Sequence, residues 1–216
     1  MVDYCLSFLN MEKADFSERI SEEEFFSEPC TILSENGIFY VTAVSDILPE
    51  LKNTADFFSD ESLEKIYNLS EKYLKDRGFT PDKHISIIRC FDLTGVTGEK
   101  TDAVLLEGSE EDSLFSDLPY LVSKGPVFGI LKNDKVISLA GAVIKDGVYN
   151  IHIETAPSER HKGYAKACLL ALCNYLYKGN AKILYECRSE NRASVKTVMG
   201  AGGTEACRYV RFIGRK

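Results

Sequence analysis

The sequence predicts an α+β fold, and three observations carry that expectation. The second half reads as a strand meander followed by helix, strand, helix and strand. A strongly amphipathic helical segment directly follows a strand that ends at a proline. The first hundred residues carry strand and helix signals of their own, which adds an N-terminal α/β extension or half-domain.

Residues 1–100 begin acidic and irregular, with five Glu between Glu18 and Glu28 around Phe25-Phe26, consistent with a solvated helix that docks two rings. Gly37 to Val44, after an Asn-Gly turn, is β-branched and aromatic and reads as a strand. Ser62 before Leu63, the stripe Ile66, Tyr67, Leu69, Tyr73 and Leu74, and Gly78 after the last turn give a helix its cap, face and stop. His84 to Phe91 reads as a strand, and Thr94 to Lys100 as a linker or long turn. A boundary there divides residues 1–100 from residues 101–216.

Asp102 to Glu107 reads as a strand, and Glu110 to Leu121 as short helix or loop. Val127–Leu131 and Val136–Ile144 form a hairpin, because Asn133-Asp134 supplies the turn between two apolar runs; Asp146-Gly147 repeats the signal. Val148 to Thr155 is a third strand, ended by Pro157, which cannot extend a ladder. Ala165, Cys168, Leu169, Leu172, Cys173 and Leu176 follow helical spacing, so residues 163–178 form an amphipathic helix stopped at Gly179-Asn180. Lys182 to Cys187 is a strand, Asn191 to Ala201 a helix ending at Gly202-Gly203, and Thr204 to Ile213 a final strand.

With 216 residues and 44% hydrophobic composition the chain buries a sizeable core. A net charge of -7 gives nucleic acid or an anionic membrane no general electrostatic support, so an anion site has to be local. No apolar run approaches the roughly 20 residues that span a bilayer, and the N-terminus lacks a basic region before an apolar stretch. A cytoplasmic protein is expected. The seven cysteines are scattered, with no C-x-x-C pair and no His at metal-ligand spacing, which favours reduced, mostly buried thiols and no metal site.

Arg160-His-Lys-Gly163-Tyr-Ala165 has the local physics of an anion site: a strand ends, a glycine-bearing turn follows and a helix begins. The first N–H groups of a helix lack intrahelical acceptors, and the macrodipole adds partial positive charge at the same place. Arg160, Lys162 and Lys166 add formal charge, while Gly163 allows a ligand close to the backbone and Ala165 is small. An ordinary basic helix start satisfies the same pattern. Its context, strand before and amphipathic helix after, with Asn191-x-x-Ser194 about 30 residues on, is what distinguishes it.

Over residues 101–216 these linked pieces resemble the GNAT superfamily of N-acetyltransferases. Ile151-His-Ile-Glu-Thr155 is similar to the family's fourth strand, Arg160 to Ala165 to its R/Q-x-x-G-x-G/A pyrophosphate loop, and Asn191 to Ser194 to its N-x-x-S/A helix start. The resemblance implies a mixed sheet splayed between the fourth and fifth strands, with the pantetheine arm of acetyl-CoA inserted there. Ile153 and Thr155 would then contact the arm through their backbone. Arg160, His161, Lys162, Gly163, Tyr164, Ala165 and Lys166 would hold the pyrophosphate, and Asn191 and Ser194 would meet pantetheine or phosphate.

The implied reaction moves an acetyl group to a primary amine of a small molecule or peptide. Glu154 matches the carboxylate that takes the amine proton through water in many members; facing opposite to Ile153, it is equally compatible with a solvated or structural carboxylate. The family's tyrosine seven residues after the Asn, its thiolate acid, is Val198 here, which leaves that role unassigned among Tyr185, Cys187, Tyr209 and His152. An acyl-CoA-binding regulatory module without turnover is the alternative, and either a monomer or a homodimer is compatible with the sequence. Gly202-Gly203 replaces the usual Gly-Phe, and the last segment is short for a terminal hairpin, so the N-terminal region is expected to cover the sheet edge.

Overall fold

Turn chemistry and helix caps set most of the architecture. The computed structural model describes all residues except 1, 2, 4, 7, 8, 10, 12, 15, 19–26, 53, 55, 108–114 and 146. Most of the acidic segment from Glu18 to Glu28, the start of the Glu110–Leu121 segment and Asp146 therefore lie outside the described residues.

The elements in order are β1 (Phe16–Glu18), β2 (Cys30–Glu35), β3 (Ile38–Ala43), α1 (Leu48–Leu51), α2 (Asp60–Asp76), β4 (Thr80–Pro81), β5 (Ile88–Asp92), β6 (Val104–Leu105), α3 (Leu118–Lys124), β7 (Val127–Lys132), β8 (Lys135–Lys145), β9 (Val148–Thr155), α4 (Tyr164–Tyr177), β10 (Lys182–Arg188), α5 (Arg192–Gly200), β11 (Thr204–Phe212) and β12 (Gly214–Arg215). The chain divides into two units, Met1–Arg89 with Ala206–Lys216, and Cys90–Glu205.

In the first unit the strand order is β1, β3, β2, β11. The turn Asn36-Gly37, with both residues at positive φ (50° and 82°), closes a β2–β3 hairpin that pairs Glu35 with Ile38. The final strand pairs antiparallel with β2, from Arg208↔Ser34 to Phe212↔Cys30. Ile32, Val41, Leu51, Phe57, Ile66, Leu74, Val210 and Phe212 form the unit's core. Helix α2 starts earlier than the sequence suggested: Ser59, not Ser62, is its cap, and the Ser59 hydroxyl accepts the Ser62 N–H. Strand β5 also begins later than expected, at Ile88; upstream of it the Asp82 carboxylate accepts the His84 N–H at 3.3 Å.

The second unit orders its strands β5, β10, β9, β8, β7, β6. Asn133 and Asp134, both left-handed at φ 50° and 60°, form the two-residue turn between β7 and β8, pairing Lys132 with Lys135. Strand β6 is only two residues, so most of Asp102–Glu107 is not strand, and the expected helix appears as Leu118–Lys124. β8 and β9 are antiparallel while β9 and β10 are parallel, which makes the sheet mixed. Helices α4 and α5 share a core with one face of it, through Ile151, Cys168, Leu169, Leu172, Ile183, Tyr185 and Val198. Helix α3 covers the other face with Leu118 and Leu121 against Val127 and Leu139. Among the described residues no helix is long and apolar enough to cross a membrane.

Candidate active site

Strands β9 and β10 pair from Val148↔Lys182 only as far as Ile151↔Tyr185. Both continue, β9 to Thr155 and β10 to Arg188. Past Ile151 the edge of β9 that faces β10 has no ladder partner among the described residues, so the sheet opens there. On its other edge β9 stays paired with β8 through Ile153↔Ala140, Glu154↔Leu139 and Thr155↔Ser138. Backbone groups of Ile153 and Thr155 thus line the opening on a strand fixed from behind.

Alternation divides the side chains of β9 between two faces. Ile151 and Ile153 pack toward α4, and the Thr155 hydroxyl is tied to the Ser138 hydroxyl at 2.7 Å. His152 and Glu154 point to the face bearing α3, since Leu139, opposite Glu154, packs in the α3 cluster. Glu154 is exposed, and its Oε2 lies 3.7 Å from Nε2 of His152. That nitrogen is enclosed and has no hydrogen-bond partner, although 44% of the His152 side chain is exposed.

The turn after β9 consists of one 3-10 turn, Pro157–Glu159, then extended Arg160, left-handed His161 (φ 64°) and left-handed Gly163 (φ 83°). Gly163 is the N-cap of α4 and no side chain caps that helix. The first intrahelical bond runs from the Ala167 N–H to the Gly163 carbonyl at 3.0 Å. Helix geometry therefore leaves the N–H groups of Tyr164, Ala165 and Lys166 without an intrahelical acceptor. A Cβ built on Gly163 meets nothing within 4 Å, so the space above the turn is open.

The cations of the turn are partly engaged. Arg160 donates from Nε to the Thr155 carbonyl at 3.3 Å. Lys162 and Lys132 donate to the two oxygens of Glu159 at 2.8 and 2.9 Å. These hydrogen bonds, that of Lys162 first, hold the Glu159 carboxyl below its ordinary range, and the Glu159 partner raises the Lys132 ammonium. Lys132 comes from the end of β7 and was not among the sequence candidates; nothing in the local pattern links it to residue 159. His161 and Lys166 are exposed, and Tyr164 and Ala165 half-buried.

Asn191 and Ser194 occupy the start of α5. The Asn191 Oδ1 accepts the Ser194 N–H at 3.2 Å, a helix cap. The Ser194 side chain lies beside the phenol of Tyr185, the last paired residue of β10, and works to lower that phenol's pKa. That proximity was also missed from sequence, since only the parallel register brings residue 185 to the opening. Val198, at the family's tyrosine position, is fully buried. The α4 thiols are unsuited to chemistry: burial pushes Cys168 up to about 11 and Cys173 up to about 12.

Residues 82–211 match the family model for the GNAT acetyltransferase. Among solved structures, a protein from Novosphingobium aromaticivorans described as a GNAT-family acetyltransferase is similar with a TM-score of 0.51 and 12% identity, covering 64% of this chain and 68% of its own. A GCN5-related N-acetyltransferase-like protein from Streptococcus suis gives a TM-score of 0.50 and 15% identity, covering 91% of this chain and 87% of its own. A Drosophila protein gives a TM-score of 0.51 and 12% identity, covering 98% of this chain and 86% of its own. No curated protein matches the sequence. The structural likenesses speak for the fold alone; together with a family model that spans more than half of the sequence, they accompany one conclusion, that the chain belongs to the GNAT acetyltransferase family.

Proposed function

We propose that the protein transfers an acetyl group from acetyl-CoA to a primary amine of a small molecule or peptide, with residues 101–216 carrying the site. The observation that carries this reading is the opening of the sheet past Ile151 and Tyr185, beside a helix start with unused N–H groups. The fit to CoA is physical. An extended, amide-bearing arm can hydrogen-bond to an unpaired strand edge, and a pyrophosphate suits donors that converge on open space above Gly163.

In this reading Ile153 and Thr155 hold the arm through their backbone, and residues 160–166 hold the pyrophosphate, with Arg160, Lys162 and Lys166 supplying charge. Asn191 shapes the far wall by capping α5, and Ser194 stands beside it. Bound acetyl-CoA supplies the activated acyl group. Glu154, on the opposite face, takes the proton of the attacking amine, directly or through water. The acceptor then approaches from the α3 side, where the helix Leu118–Lys124 limits what fits. Seven buried cysteines, none in a disulfide, suit work in a reducing compartment such as the cytoplasm.

Thiol release from acetyl-CoA against a panel of primary amines tests the reading, and amine-dependent release of CoA is expected. A second reading, an acyl-CoA-binding module without turnover, draws on one observation, the buried valine at position 198. CoA binding without release for any amine would favour it. Glu159 offers a separate check, because it occupies two lysines beside the turn. Glu159→Gln removes that competing anion and is expected to tighten CoA by about threefold to tenfold at low salt in titration calorimetry. Unchanged or weaker binding would place both lysines outside the cofactor site.

A further inference from the structure

We infer that Tyr185 is the proton donor to the departing thiol sulfur, an assignment that rests on the acetyl-CoA reading of the same opening. Tyr185 faces Ile151 in the last paired position before β9 and β10 part, and so stands at the inner end of the opening. Its ring belongs to the core shared with α4 and α5, on the face where the turn and the α5 start both lie. Glu154 and His152 occupy the other face. A proton acceptor and a proton donor are thus placed on opposite sides of the gap between β9 and β10.

The phenol lies beside the Ser194 side chain, and the Ser194 backbone N–H is fixed by the Asn191 cap at 3.2 Å. The ring is 6% exposed while Ser194 is half-buried, so the pair leads from a dry interior toward solvent. Burial pushes the phenol up, which keeps it protonated at neutral pH; Ser194 acts the other way, by stabilising the phenolate. Cys187, two residues along on the same face, is the other titratable group acting on it and favours the protonated phenol.

Alternatives on this face are poorer. Val198 has no proton to give, and Cys168 and Cys173 are enclosed in the core. The step balances without another reagent. The amine lone pair forms the C–N bond, the C–S bond breaks with its electron pair on sulfur, and the Tyr185 proton passes to sulfur. The phenolate stays beside Ser194, whose hydroxyl favours the charged form, until solvent returns a proton, and the surplus amine proton leaves through Glu154.

Tyr185→Phe keeps the ring and removes only the hydroxyl. With an acceptor found in the thiol-release assay, kcat is expected to fall about 30-fold to 300-fold, the scale of losing one general acid. The CoA dissociation constant from calorimetry is expected to stay within about threefold, because the hydroxyl is not assigned to ground-state binding. The selenoester analogue of acetyl-CoA, whose leaving selenol is a far stronger acid and needs little protonation, is expected to restore the variant to within about threefold of wild type. Equal losses with thioester and selenoester would reduce Tyr185 to a structural part, and a fully active variant would overturn the assignment outright. Wild type that releases no thiol with any amine overturns the functional reading itself, and this assignment with it.

Discussion

Gly163→Asp is expected to weaken CoA binding by more than about 100-fold while the protein still folds. The backbone at 163 is left-handed, at φ 83°, and nothing lies within 4 Å of the position a Cβ would take. An aspartate side chain therefore meets no protein atom and projects into the open space above the turn. Aspartate tolerates left-handed backbone better than most residues, so the fold pays about 1–2 kcal/mol at most. The carboxylate then faces the pyrophosphate. At about 4 Å each repulsive charge pair costs roughly 1–4 kcal/mol, depending on the effective dielectric. Gly163→Asn has nearly the same shape and backbone tolerance without the charge, and is expected to lose only about fivefold to tenfold. Calorimetry on both separates charge from volume: equal losses would point to crowding, and no loss in either would move the site elsewhere.

Glu154→Gln is expected to lower kcat by about 100-fold to 1000-fold with little change in CoA affinity. The separation follows from the faces of β9. The residue lies on the α3 side, opposite Leu139, while the edge proposed to hold the arm is backbone. Glutamine keeps the size and one hydrogen-bond acceptor but cannot take the amine proton. His152 sits 3.7 Å away with an enclosed, unpartnered nitrogen, so it is the group best placed to supply residual activity. Steady-state kinetics at saturating acetyl-CoA, paired with calorimetry, checks the prediction. A parallel fall in kcat and CoA affinity would mean that Glu154 supports the strand rather than the chemistry.

The parts of the fold written in local pattern were legible. Asn133-Asp134 specified a two-residue turn by its chemistry, and both residues are left-handed as that turn demands. The stripe from Ala165 to Leu176 predicted a helix over 163–178, and α4 covers Tyr164–Tyr177. Its strand-turn-helix setting also made the turn at Arg160–Lys166 visible. Boundaries set by side-chain capping were harder, since Ser59 and Ser62 look alike until one hydroxyl meets the other's N–H.

Long-range pairings left no such trace. Register decides that β9 and β10 part after Ile151 and Tyr185, and no composition records where a ladder stops. Lys132 reaches Glu159 across 27 positions, and Tyr185 reaches Ser194 only because α5 folds back on the sheet. The resemblance indicated where an opening should be and which tyrosine was missing; only the fold brings a different tyrosine, Tyr185, to that opening.

The central claim is that the N–H groups at the start of α4 hold the phosphates of CoA. Amide chemical shifts of the 15N-labelled protein titrated with CoA test it most directly. The largest changes are expected at Gly163, Tyr164, Ala165 and Lys166, with smaller ones at Ile153 and Thr155 along the open edge of β9. Saturation with CoA that leaves the Gly163–Lys166 amides unmoved, or no saturable change at all, would contradict it.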